Sequence, residues 1–254
     1  MTNATLDLIH AHGSVRHFKP DPVADELIET IVGAGQRAST SSNLQMYSVI
    51  AVTDAARRDQ VAQLCGNQEF IRAAPVFLAW CIDLARLDQV SALRGYAQVT
   101  EYTENFLLTT IDTAIVAQTA ALAAESLGLG ICYVGAIRNH PREMIQLLDL
   151  PRLVFPIVGM AIGYPARAAH PRPRLPLAAI LHRDQYNRDQ VAALRAYDRA
   201  MIETGIYENR QVPVPGKSDE MENYGWLEHT ARRVSQTTRA FLRAVLEEQG
   251  FALK

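Results

Sequence analysis

The stretch from Glu104 to Gly130, ENFLLTTIDTAIVAQTAALAAESLGLG, limits the fold more than any other part of the chain. It holds no Gly or Pro before Gly128 and is dense in Ala and Leu, which lose little on entering a helix. It therefore predicts one long helix closed by a glycine. Its apolar residues Phe106, Leu107, Leu108, Ile111, Ile115, Val116, Leu122 and Leu127 do not keep to one narrow stripe. Most of its circumference must then be covered, by a core or by a second subunit. Asp112, Gln118 and Glu125 recur along it and break any apolar span of membrane length, which argues against a transmembrane segment.

A helix of this kind needs a core to lie on, and the composition supplies one. With 254 residues, 48% of them hydrophobic and 20% charged, the chain suits one large soluble domain rather than a disordered or fibrous one. The formal charge of -2 gives no overall drive toward nucleic acid or anionic membrane, so neither is expected as a partner, and a bound anion must be met by a local cluster. Cys65, Cys81 and Cys132 are odd in number and lack CxxC or zinc-ligand spacing, which predicts reduced, metal-free thiols. The first residues carry no export signal, so the expected location is the cytoplasm.

Around the long helix, the pattern predicts a helix over 24–38 with Leu27, Ile31, Ala34 and Ala38 on one stripe. Strands are predicted at 47–52 and 74–83, joined by a helix, and again at 131–137 and 153–165. Asn139-His140-Pro141 opens a helix from 141. Further helices are expected near 188–203 and 227–248, separated by a Pro/Gly-rich stretch at 211–225. No repeat is present, and helices mixed with a few strands outside strict βαβ alternation give an α+β class.

The usual self-sufficient catalytic signatures, GxSxG, HExxH, the Walker loop and GxGxxG after a strand, are absent. Four weaker features remain. His12-Gly13-Ser14-Val15-Arg16 puts imidazole, hydroxyl and guanidinium on a glycine turn and forms a candidate anion cradle. Arg172-Pro173-Arg174 holds two guanidiniums on a stiffened backbone. Ser39, Thr40, Ser41, Ser42 and Asn43 gather hydroxyls and an amide that can bond a polyol or a heterocycle edge. The glycine-flanked run to Tyr133, Val134, Gly135 and Ala136 would let backbone approach a planar ligand. Taken singly, each is equally well a capped helix end, a solvated loop or an ordinary core strand. Glu104 reads as a helix N-terminal charge, and Trp80 and Trp226 as core or interface residues.

Their order is more specific than any one of them. HxSxR, the hydroxyl cluster, Gln68 in GNQEF, the long helix with SLGLG and YVG, and then RPR follow one another from about Leu6 to Arg174. In this the chain resembles the FMN-dependent nitroreductase family, in particular its branch of NADPH-dependent flavin reductases and oxygen-insensitive nitroreductases. The resemblance implies a mostly antiparallel sheet flanked by helices, in an intertwined homodimer with FMN at the subunit interface. It places His12, Gly13, Ser14, Arg172 and Arg174 at the FMN phosphate end, with Val15 beside them and Arg16 at the pyrimidine edge of the ring. Thr40, Ser41 and Gln68 fall at the ring or ribityl chain, and the backbone of Tyr133, Val134, Gly135 and Ala136 along the reactive edge.

No side chain is then a catalytic nucleophile. The implied reaction is ping-pong hydride transfer from NADPH or NADH through FMN to nitroaromatics, quinones or flavins. A non-catalytic FMN store or sensor is the alternative reading. Gly13 stands where the family usually has Arg, and Arg172 where Lys is common. In the loop that serves the nucleotide 2'-phosphate, Arg210 and Lys217 are the cations present, and Arg210 is the candidate contact. Residues 1–186 are expected to form the FMN-binding core, and 187–254 a helical excursion of the same domain carrying the substrate and nucleotide loop.

Overall fold

Apolar, β-rich runs at Tyr47–Val52 (β1), Val76–Asp83 (β2), Gly130–Val134 (β3) and Val154–Gly163 (β4) pair antiparallel in the order β1-β2-β4-β3. The computed structural model describes residues 3–254, apart from the side chains of residues 218 and 219. The chain divides into two compact units, one of residues up to Pro171 together with Arg239–Lys254, the other Arg172–Thr238.

In the first unit, helices cover both faces of the sheet. They are α1 (Ala4–Ala11), α2 (Asp25–Gly35), α3 (Ala55–Leu64), α4 (Glu69–Ala73), α5 (Ala85–Leu93), α6 (Thr103–Ser126) and α7 (Pro141–Leu147). Every residue of β2 is buried. Because successive side chains of a strand point to opposite faces, Val76, Leu78 and Trp80 meet Ile31 of α2 and Val116, Ala120 and Ala124 of α6. Phe77 and Ala79 meet Val61 of α3, Ile71 of α4 and Met144 of α7. A Cβ on Gly35 would lie 3.1 Å from that of Ala120, so α2 and α6 approach closely.

The long helix expected from the sequence is α6. Among the described residues it alone is long and apolar enough to cross a membrane by length and composition. Its buried face instead packs against the sheet. Thr109 and Thr113, fully buried there, donate to the carbonyls of Asn105 (2.8 Å) and Thr109 (2.7 Å) one turn back, so their hydroxyls are satisfied within the helix.

The second unit contains α8 (Val191–Glu203), a hairpin of β5 (Gln211–Val214) and β6 (Lys217–Asn223), and α9 (Trp226–Val234). The Pro/Gly-rich stretch is thus a hairpin turning at Pro215-Gly216, with Gly216 in the left-handed region. Asp198 of α8 accepts from the Leu227 amide at 2.8 Å, which caps the start of α9.

Three local expectations change. The strand over 131–137 ends at Val134, paired with Gly159, and Gly135–Arg138 turns into a 3-10 helix although β4 itself continues to Val154. The final helix is two, α9 and α10 (Leu242–Glu248). Ser235, Thr237 and Thr238, whose hydroxyls compete for backbone groups, lie between them, followed by Arg239 at φ 54°. The sequence reading also missed α1, capped by the Asn3 side chain accepting from the Leu6 amide at 3.0 Å, and α5.

Gly159 of β4 lets the Phe77 ring lie across the strand, since a Cβ there would sit 2.2 Å from the ring's Cζ. Gly159→Ala is expected to cost about 1–3 kcal/mol through overpacking. Urea unfolding measures it, and an unchanged midpoint would contradict this packing.

Candidate cofactor site

The sheet ends at β3, and the glycine turn read from the sequence is stitched along that edge. The Val15 amide donates to the Ile131 carbonyl at 2.9 Å, Lys19 to Tyr164 at 2.8 Å, and Ala166 to His17 at 2.8 Å. Gly130 is what permits this closeness, because a Cβ there would come within 2.6 Å of the Val15 side chain. Val15 and Gly13 are buried while Ser14 and Arg16 are exposed, so the loop anchors through alternate residues and presents the polar ones.

Burial pushes the Cys132 thiol of β3 up, while the Arg16 charge and Ser14 pull it back. The Arg16 guanidinium also lies over the Phe70 ring of α4, 5.9 Å from its centroid. Gln68 precedes Phe70 by two positions, and its side-chain amide donates to the Cys65 carbonyl at 2.6 Å. Beyond Val134 the backbone turns at exposed Gly135, where an added Cβ would find only the Arg138 guanidinium at 3.6 Å. Within the first unit, the structure therefore brings His12–Arg16 alongside β3 and the Tyr133–Ala136 turn, with Gln68 reached through α4.

Thr40 and Ser41 are held elsewhere. The Ser41 amide donates to Asp112 Oδ1 on α6 at 2.9 Å, whereas His12 Nδ1 lies 2.6 Å from Glu125 Oε1 on the same helix. Those anchor points are thirteen positions apart on α6, about 20 Å at the α-helical rise. The loop after Ser41 puts Ser42, Asn43 and Gln45 at φ 48°, 56° and 53°, a local strain of the kind stored at functional loops.

Neither Asp112 nor Glu125 was read as a site residue. Their signal was present: two carboxylates on an apolar helix, which the sequence argument used only against membrane insertion. Phe70 and Cys132 carried no polar signal at all. The three cysteines are unpaired and buried, and burial pushes Cys65 up to about 12.

In the second unit, the Arg174 guanidinium donates back to the Arg172 carbonyl at 3.0 Å, and the Tyr197 hydroxyl to the Pro173 carbonyl at 3.1 Å, which fixes the RPR turn to α8. Tyr197 meets Trp226 edge to face at 5.0 Å between centroids. Arg210 and Arg232 lie over the Tyr224 ring, 5.7 and 5.8 Å from its centroid, and Tyr207 packs on the same ring at 5.4 Å. Lys217, the other cation expected in this loop, pairs with Glu220 at 2.9 Å.

A four-stranded antiparallel sheet covered by helices, with a polar loop bonded to its edge, defines an α+β fold built to present that loop beside β3. The nitroreductase family model matches residues 9–68 and 59–164, and the model of the family's C-terminal domain matches 172–254. The chain belongs to the nitroreductase family. The FMN reductase [NAD(P)H] of Bacillus subtilis is 36% identical over 256 residues, covering 99% of each chain. The oxygen-insensitive NADPH nitroreductase of Salmonella typhimurium is 36% identical over 250 residues, covering 98% of this chain and 99% of its own. The solved structure of B. megaterium NfrA2 superposes with a TM-score of 0.91 at 34% identity and covers 100% of both chains.

The residues present suit a phosphorylated flavin. His12, Ser14 and Arg16 bring an imidazole, a hydroxyl and a guanidinium to one turn, donors of the kind an anion accepts from, and the open Gly135 turn leaves backbone free to approach a planar ring.

If Asp112 holds the Thr40–Asn43 loop, Asp112→Ala should speed hydrogen exchange at the Ser41 amide about tenfold or more, the worth of one lost charge-assisted bond. Exchange measured by NMR at unchanged rate would show that the loop is held by something else.

Proposed function

We propose that this chain is an FMN-dependent NAD(P)H oxidoreductase that reduces nitroaromatics, quinones or free flavins in the cytoplasm. The observation that carries the proposal is the His12–Arg16 loop bonded to β3 beside the Tyr133–Ala136 turn. Whole-length relatives named as an FMN reductase and a nitroreductase support turnover over storage.

His12 and Ser14 would hold the phosphate, with Gly13 and Val15 supplying the closely packed backbone of the turn; Arg172 and Arg174 are the cations that the family resemblance assigns to it. Arg16 supplies positive charge where reduction of a flavin accumulates negative charge, and so favours hydride capture. The backbone of Tyr133, Val134, Gly135 and Ala136 lines the ring edge, and Gln68 bonds the ring or ribityl chain. FMN, when bound, supplies the two-electron chemistry. The protein's part is to admit NAD(P)H and then the acceptor to the same place in turn, which is a ping-pong scheme.

The site is completed in a homodimer. Thr40 and Ser41, anchored about 20 Å along α6 from the His12 contact, then come from the partner subunit. Support lies on α6 itself, where Leu107, Ile111 and Ile115 form an exposed apolar stripe one turn apart. Beside it is an apolar cavity of about 500 Å³ lined by Phe106, Thr110, Ala114, Tyr133 and Arg138. In the second unit, Arg210 over Tyr224 would meet the nucleotide's 2'-phosphate.

The purified protein is expected to be yellow and to lose its flavin absorbance when NADPH is added anaerobically. A colourless protein that cannot be reconstituted with FMN would refute the proposal. Arg16→Ala and Arg174→Ala should each weaken FMN retention roughly tenfold, as for a lost charge-assisted bond. Arg210→Ala should leave retention intact and raise the NADPH KM by a similar factor. Equal FMN retention in all three variants would contradict these assignments.

A further inference from the structure

Glu125, which meets His12 from α6, is given no role toward the cofactor by the assignments above. Glu125 lies in the last turn of α6, where the helix dipole disfavours a negative charge. Its side chain is 11% exposed, and its Oε2 is buried without a hydrogen-bond partner. The cleft of about 170 Å³ around it is walled by apolar Leu8, Val15, Leu129 and Pro165. The polar group that meets the carboxylate in these surroundings is the His12 ring, with Nδ1 2.6 Å from Oε1. A contact that short, in surroundings of low dielectric, is characteristic of a charge-assisted bond.

We infer that Glu125 is a positioning residue for His12: its carboxylate accepts a hydrogen bond from Nδ1, fixes the ring's orientation and turns Nε2 toward the cofactor phosphate. The inference rests on the proposed FMN reading. Position 13 contributes no charge to this turn, since Gly13 packs so that a Cβ would lie 3.0 Å from that of Ala169 and 3.2 Å from the His170 carbonyl oxygen. The fixed positive charge of the turn therefore comes from Arg16, and His12, held in place by Glu125, adds an oriented ring nitrogen.

The test is a double-mutant cycle on the full-length protein. FMN affinity is read by fluorescence titration of the apoprotein, and the His12 tautomer by 15N NMR. Glu125→Gln should weaken FMN binding about tenfold and remove the Nδ1 proton signal of His12 in the apoprotein, with little change in melting temperature. In a His12→Asn background, the same substitution should change FMN affinity by less than about twofold. An undiminished affinity in Glu125→Gln, an equal loss in the His12→Asn background, or a His12 tautomer unaltered by the substitution would each overturn the inference. A wild-type protein that binds no FMN would overturn the functional reading as well, whereas undiminished FMN binding by Glu125→Gln would sink the positioning role alone.

Discussion

The close seating of α6 on the sheet is the constraint on which the rest of the molecule depends. Ala117, Ala120, Ala121 and Ala124 let the helix axis approach β2 and β4. Gly35 lets α2 wedge against it. Large side chains at those positions would hold the helix off the strands and open voids that a close-packed interior does not tolerate. With the helix seated, its ends and its exposed face become fixed reference points for everything attached to it.

Two of those points are carboxylates. A charge buried on an apolar helix is costly unless it is paired, so each has acquired a partner from a loop: Asp112 the Ser41 amide, Glu125 the His12 ring. The cost of burying the groups thereby becomes loop order. This arrangement separates the hydroxyl loop from the glycine turn within one chain.

Much of the fold could be read in advance, because hydrophobic period and helix propensity act locally. The long helix, the four sheet strands, the helix opened by Pro141 and the Val15-flanked polar turn all follow from neighbours in sequence. What could not be read depends on partners distant along the chain. Strand β3 ends at Val134, opposite Gly159 of β4, and only the pairing with that strand shows where its ladder stops. The hairpin of β5 and β6 looked like a loop because its prolines and charges mask strand character that only pairing reveals.

The sequence by itself determined the class of fold, the family and the residue types of the candidate site, since composition, periodicity and motif order are properties of the chain read in one dimension. Only the tertiary structure decided that the Val15 amide bonds the Ile131 carbonyl of β3, that Phe70 lies beneath the Arg16 guanidinium, and that Glu125 rather than solvent meets His12. Those contacts join residues up to 116 positions apart, Val15 to Ile131. Their strength comes from burial and distance, quantities that exist only once the sheet and α6 have come together.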